Sequence, residues 1–108
     1  MNNSVQYPTH DWDAWHDFMP GSPPTLYITG KIVFPAAGYS AVLVRNYPGS
    51  INPTLGLYDL VVTKPNPSND DDKGHFEEDV RYSEDTTEPY QQVEIHPGDI
   101  KVPVKTVS

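Results

Sequence analysis

The sequence predicts an all-β fold, a small antiparallel β-sandwich, and three observations predict it. Twelve prolines punctuate 108 residues, and Pro35, Pro48, Pro53, Pro65, Pro67, Pro89 and Pro97 fall between runs rich in Val, Ile, Leu, Tyr and Thr. Each proline removes a backbone donor and fixes φ, which keeps it out of helix interiors and central strands. Several of the intervening runs alternate apolar and polar residues with period two, and connections such as Pro35-Ala36-Ala37-Gly38 and Pro97-Gly98-Asp99 are short enough for hairpins between antiparallel neighbours.

Six strands follow from this punctuation: Thr25 to Phe34, Tyr39 to Tyr47, Leu55 to Thr63, Phe76 to Glu84, Tyr90 to His96, and Ile100 to Val107. The first places Leu26, Ile28, Ile32 and Phe34 on one face and Thr29 and Lys31 on the other, with Gly30 marking a bulge or a close contact. In the second and third, a turn centred near Asn52 sets Arg45 opposite Asp59 on the solvent side. Val42, Val44, Leu60 and Val62 then become the core face. The last strand points Ile100, Val102 and Val104 inward and Lys101, Pro103 and Lys105 outward, a pattern suited to an edge strand protected against further pairing. A four-residue loop between the first two strands would set Ile32 beside Ala41 on the face that carries Arg45. That conflict requires either a bulge or strands in different sheets.

Strands with one apolar face bury it by packing as two layers, the sandwich solution. An immunoglobulin-like topology fits the strand count, although the paired Cys and mid-strand Trp of true immunoglobulin domains are missing. Residues 25–108 make one β-sandwich domain on this reading. Residues 1–24 form an aromatic, Pro-rich N-terminal segment that packs on it. Within that segment Trp12, Trp15 and Met19 recur at helical spacing, Thr9 or Asp11 can cap, and Pro20 stops the run, which predicts a short helical or irregular stretch.

Composition narrows the function. With no Cys, disulfides, zinc ribbons and thiol chemistry are excluded, and the lack suits a reducing cytoplasm. The polar start Met1-Asn2-Asn3-Ser4 does not resemble a signal peptide, and no run reaches the length of a membrane helix. A net charge of −8 disfavours nucleic acids and anionic membranes as partners. Nine of the fifteen carboxylates lie between Asp70 and Glu88, so one end or edge should be strongly negative.

The candidate ligand-binding residues are Trp12, Asp13, Trp15 and His16, because indole rings stack on a sugar or another apolar ligand face while neighbouring polar groups hold its hydroxyls. The plainer use of these aromatics is to plug an open end of the sandwich. A metal set of His10, Asp13, His16 and Asp17 matches no established spacing, and the acidic loop Asn66 to Gly74 lacks the EF-hand pattern, so no metal and no cofactor is assigned. His75 and His96 receive no role. Asp59 is explained by pairing with Arg45, and no phosphate cradle or nucleophile elbow stands out. The expectation is therefore a non-enzymatic interaction or accessory domain with a protein partner, or a homodimer formed through a sheet edge. The alternative is a carbohydrate- or small-ligand-binding module, and an acidic decoy for a basic surface is a third reading.

Overall fold

In the computed structural model, which describes residues 7–36, 38–46, 54–64, 73–88, 90–96 and 98–107, period-two alternation governs the chain. The strands are β1 (Thr9–Asp17), β2 (Thr25–Ala36), β3 (Ser40–Arg45), β4 (Leu55–Thr63), β5 (Lys73–Asp85), β6 (Gln92–His96) and β7 (Ile100–Val107). No helix occurs among the described residues. As expected, Leu26, Ile28, Ile32 and Phe34 share the inner face of β2 and are fully buried. They meet Ala14, Leu43, Tyr58, Val80, Tyr90, Val93, Ile95 and Val102 in one core drawn from all seven strands and the approach to β6.

The strands form one mixed sheet in the order β3-β4-β6-β7-β1-β2-β5, which wraps around that core and nearly closes into a barrel. A sandwich of two separate antiparallel sheets differs from this in two ways. The sheet is continuous through β7, and β1 with β7 and β4 with β6 are parallel pairs. Nor is β7 an edge strand. Its first half, through Pro103, pairs with β6, and its second half, from Val104, pairs with β1. Pro103 thus sits where the strand changes partner, so a proline is accommodated in a central strand.

The short Pro35–Gly38 connection does not make a hairpin. β2 pairs with β1 and β5, whereas β3 pairs with β4, so the Ile32–Ala41 conflict does not arise: the two strands are not neighbours, and the chain crosses between distant parts of one sheet. Tyr39 stacks on Phe34 with ring centroids 4.9 Å apart, and Tyr7 meets both rings edge-on, covering that end of the core. The Pro97–Asp99 connection does join antiparallel neighbours, β6 and β7.

The N-terminal segment corrects the helical expectation. Residues 9–17 are strand β1, hydrogen-bonded antiparallel to β2 and parallel to β7. The i, i+3 recurrence of indoles imitates a helix, but the alternation Trp12, Ala14, His16 inward and Asp13, Trp15, Asp17 outward is what the sheet uses. One extra residue between His10 and Asp13 makes a bulge opposite Gly30, with Asp11 at φ 59°. Gly30 is the predicted close contact: a Cβ there would lie 2.3 Å from Cε3 of Trp12.

The β3–β4 register is also one residue away from the expected one. Arg45 opposes Tyr58 and Val44 opposes Asp59. A one-residue slip exchanges the faces, so Val42 and Val44 are 55% and 47% exposed while Leu43 is buried and Arg45 turns inward; Leu60 and Val62 still pack on the core. The reason for the inward arginine lies on a strand distant in sequence. Arg45 Nη1 donates to Glu84 Oε2, and Nη2 donates to the Tyr90 hydroxyl. The other Glu84 oxygen accepts from Tyr58 (2.9 Å) and Tyr82 (2.7 Å).

This network joins β3 to β5, the two edges of the sheet, and so holds the wrapped form. Removing one member of a largely buried, hydrogen-bonded ion pair leaves the other desolvated and unpaired. Glu84→Ala is expected to lower unfolding stability by about 3 kcal/mol, read from urea denaturation. A loss below about 1 kcal/mol, the scale of a surface pair, would show that the edges are held together by something else.

Burial, and then the charge of Glu84, raises the Tyr58 phenol well above its ordinary value of 10.0. Unfolded Tyr58 ionises near that ordinary value while the folded form keeps its proton, so its contribution to stability is complete below about pH 10 and is lost as the pH rises further. Above about pH 10, stability should fall more steeply in the native protein than in Tyr58→Phe. Equal slopes would contradict the assignment.

Candidate functional site

The outward face of β1, β2 and β5 collects polar and aromatic side chains at register positions set by the ladders. Trp15 lies across from Tyr27, Tyr27 from Ser83, Thr29 from Arg81 and Lys31 from Asp79. Together with Asp11 these residues line a groove of about 600 Å³. Trp15 and Tyr27 stack with ring centroids 5.2 Å apart and planes 21° from parallel. The groove therefore has an aromatic end and a charged end.

At the charged end Lys31 Nζ donates to Asp79 Oδ1 at 2.9 Å, and Arg81 Nη2 reaches Asp79 Oδ2 at 3.5 Å. The hydrogen bond and charge of Lys31 lower the Asp79 carboxyl pKa, and the same hydrogen bond and charge of Asp79 raise that of Lys31. Each group is thus held in its ordinary charged form, ready to bind through charge and hydrogen bonds.

Strand geometry divides the four residues singled out from the sequence. Trp15 and Asp13 are outward, but only Trp15 lines the groove. Asp13 accepts from its neighbour Ala14 N at 3.1 Å and pairs with Lys105 at 3.2 Å. Trp12 faces the core, its ring over Gly30 and its Nε1 donating to Thr9 Oγ1 at 2.9 Å. His16 is buried, with Nε2 2.6 Å from the Thr86 carbonyl and its ring against Phe18. Trp12 and His16 thus pack and tether, the plainer role.

The set His10, Asp13, His16 and Asp17 does not converge. His10 turns to Glu77 at 2.5 Å and to Asp11 at 3.2 Å, while Asp17 accepts from Met19 N. Most of the acidic loop Asn66 to Gly74 lies outside the described residues, but the acidity of its neighbourhood does fall on an edge, strand β5.

The groove residues Tyr27, Thr29, Lys31, Asp79, Arg81 and Ser83 were not singled out by motif. Their signal in the sequence is positional: they occupy the outward register of two predicted strands, and Tyr27 is an aromatic among the polar positions of its strand. Comparisons of the chain with known protein families, with curated proteins and with solved structures find no match.

Proposed function

We propose that this chain is a non-enzymatic binding domain whose β1–β2–β5 groove takes a carbohydrate or a small ligand with a flat apolar face and several hydroxyls. The observation that carries this is the stacked Trp15–Tyr27 pair in a groove that also offers Lys31, Asp79, Arg81, Thr29 and Ser83. Rings supply apolar contact area at small entropic cost, and fixed charged or hydroxyl groups orient a polyol. A non-catalytic role is supported by the charge states at the site. General acid–base catalysis is served by groups poised to change protonation near the working pH, whereas Asp79 and Lys31 are shifted away from it.

A protein partner is the second reading, and one feature favours it. Val42 and Val44 on edge strand β3 and Val61 beside Val42 are about half exposed, forming a small apolar strip on the outer face of that edge. A protein strand, including that of a second copy, is the natural occupant of an edge strand, and loops at the ends of the barrel-like sheet add further contact surface. The net charge of −8 argues against nucleic acid and anionic membrane partners in either reading.

An oligosaccharide panel titrated against the protein, with tryptophan fluorescence as the readout, tests the groove. A bound sugar should perturb Trp15 emission, Trp12→Phe should retain the response, and Trp15→Ala should weaken binding about tenfold or more, corresponding to at least about 1.4 kcal/mol. An inert panel, or binding that Trp15→Ala leaves unchanged, would remove the carbohydrate reading.

A further inference from the structure

On the other half of the sheet, away from the groove, the outer face of β6 carries a cluster that no motif announces. Glu94 and His96 are two residues apart on β6 and so share its outward face, while Val93 and Ile95 point into the core. Gly98 and Asp99, at φ 99° and 50°, turn the chain into β7. This turn returns the Asp99 carboxylate to 2.8 Å from His96 Nδ1, and Glu94 lies 3.3 Å from Nε2. One donor atom from each of the three residues lies within 4.8 Å of the other two. On neighbouring β4 the register partner of His96 is Asp59, whose carboxylate is held by the Asn46 side chain at 3.2 and 3.3 Å.

The charge balance here resembles that at His10, whose imidazole contacts Asp11 and Glu77, and differs from the carboxylates that pair with Lys or Arg. Asp79 has Lys31 and Arg81, Glu84 has Arg45, and Asp13 has Lys105. Among the described residues no Lys or Arg comes within ion-pair distance of Glu94, Asp99 or Asp59; the one basic group in contact with Glu94 and Asp99 is the imidazole of His96. Glu94 and Asp99 thus converge on one imidazole with no Lys or Arg as countercharge, and Glu94 is only 16% exposed, so water screens it poorly. A cation would supply the missing charge. The donor set selects its type: an imidazole nitrogen beside carboxylate oxygens suits Zn²⁺ and its transition-metal neighbours, whereas Ca²⁺ and Mg²⁺ take oxygen ligands.

We propose that Glu94, His96 and Asp99 form a binding site for a divalent transition-metal ion of the zinc class, with water completing the coordination. Ligand atoms around a tetrahedral zinc lie about 3.4 Å apart. Because Asp99 and Glu94 face different ring nitrogens of His96, an ion on one nitrogen draws the second carboxylate across, and Asp99, whose side chain is 72% exposed, has room to rotate. The ion ties the end of β6 to the turn that begins β7, so it clamps the hairpin at which the sheet continues into its second half. This inference is independent of what the groove binds.

Isothermal titration of the full chain with zinc chloride, and separately with calcium chloride, tests the site. The expected result is one zinc per chain, no calcium heat, and zinc affinity reduced about tenfold or more in both Asp99→Asn and His96→Gln. Asparagine tolerates the left-handed conformation that Asp99 adopts and the side chain is exposed, so Asp99→Asn should keep the fold, verified by an unchanged circular dichroism spectrum. Absence of zinc binding overturns the proposal. So does zinc binding that Asp99→Asn leaves intact, including the case in which His10→Gln abolishes it and places the ion at the His10–Glu77 pair instead.

Discussion

The wrapped shape of this protein depends on one carboxylate. An open seven-stranded sheet would expose the inner faces of β2 and β4; curling it brings β3 towards β5 and buries those faces. The approach is held where Glu84 of β5 takes a charged donor from Arg45 of β3 and hydroxyl donors from Tyr58 and Tyr82. Both ionic side chains are less than a quarter exposed or close to it, at 18% and 24%. Such a pair is stable only because its hydrogen-bonding capacity is filled, and the three tyrosines serve that purpose while their rings enlarge the core. Tyr90 contributes twice, through its hydroxyl and through the ring that lies 5.3 Å below the Arg45 guanidinium.

A second device decides which side chains reach the candidate groove. The bulge at Asp11 gives β1 one residue more than β2 offers, and Gly30 leaves room for the Trp12 ring in that space. Beyond the bulge the strand resumes strict alternation, which fixes Trp15 outward beside Tyr27 and His16 inward towards Thr86. The groove and the tethering of the chain after β5 are therefore two faces of the same strand. The Glu94–His96–Asp99 cluster arises from the same logic on the other half, where alternation along β6 pairs Glu94 with His96 and a left-handed turn adds Asp99.

Much of the fold was legible because it is written locally. Prolines and period-two runs mark all strands from β2 to β7, and the inner faces of β2 and β7 read correctly from Leu26, Ile28, Ile32, Phe34 and Val102. What escaped is non-local. β1 reads as a helix because its inner face is Trp, Ala and His rather than an aliphatic stripe, and its partners lie elsewhere in the chain. Two valines of β3, Val42 and Val44, look like core until Glu84 provides an inward partner for Arg45, a contact spanning 39 residues. The site was half legible for the same reason. Trp15 stands out by type, whereas Tyr27, Lys31 and Asp79 become neighbours only once β1, β2 and β5 are laid side by side.

The core exists only because the two halves of the sheet fold against each other with β4 facing β5. The most direct measurement is a nuclear Overhauser spectrum of the isotope-labelled protein with the aromatic resonances of Tyr58 and Tyr82 assigned. The rings belong to strands from opposite halves, and their centroids are 5.1 Å apart, edge to face. Strong cross-peaks between their ring protons are the predicted result. Their absence, with both spin systems resolved and the within-half Trp15–Tyr27 contacts present, would mean that the sheet does not close and that the core described here does not form.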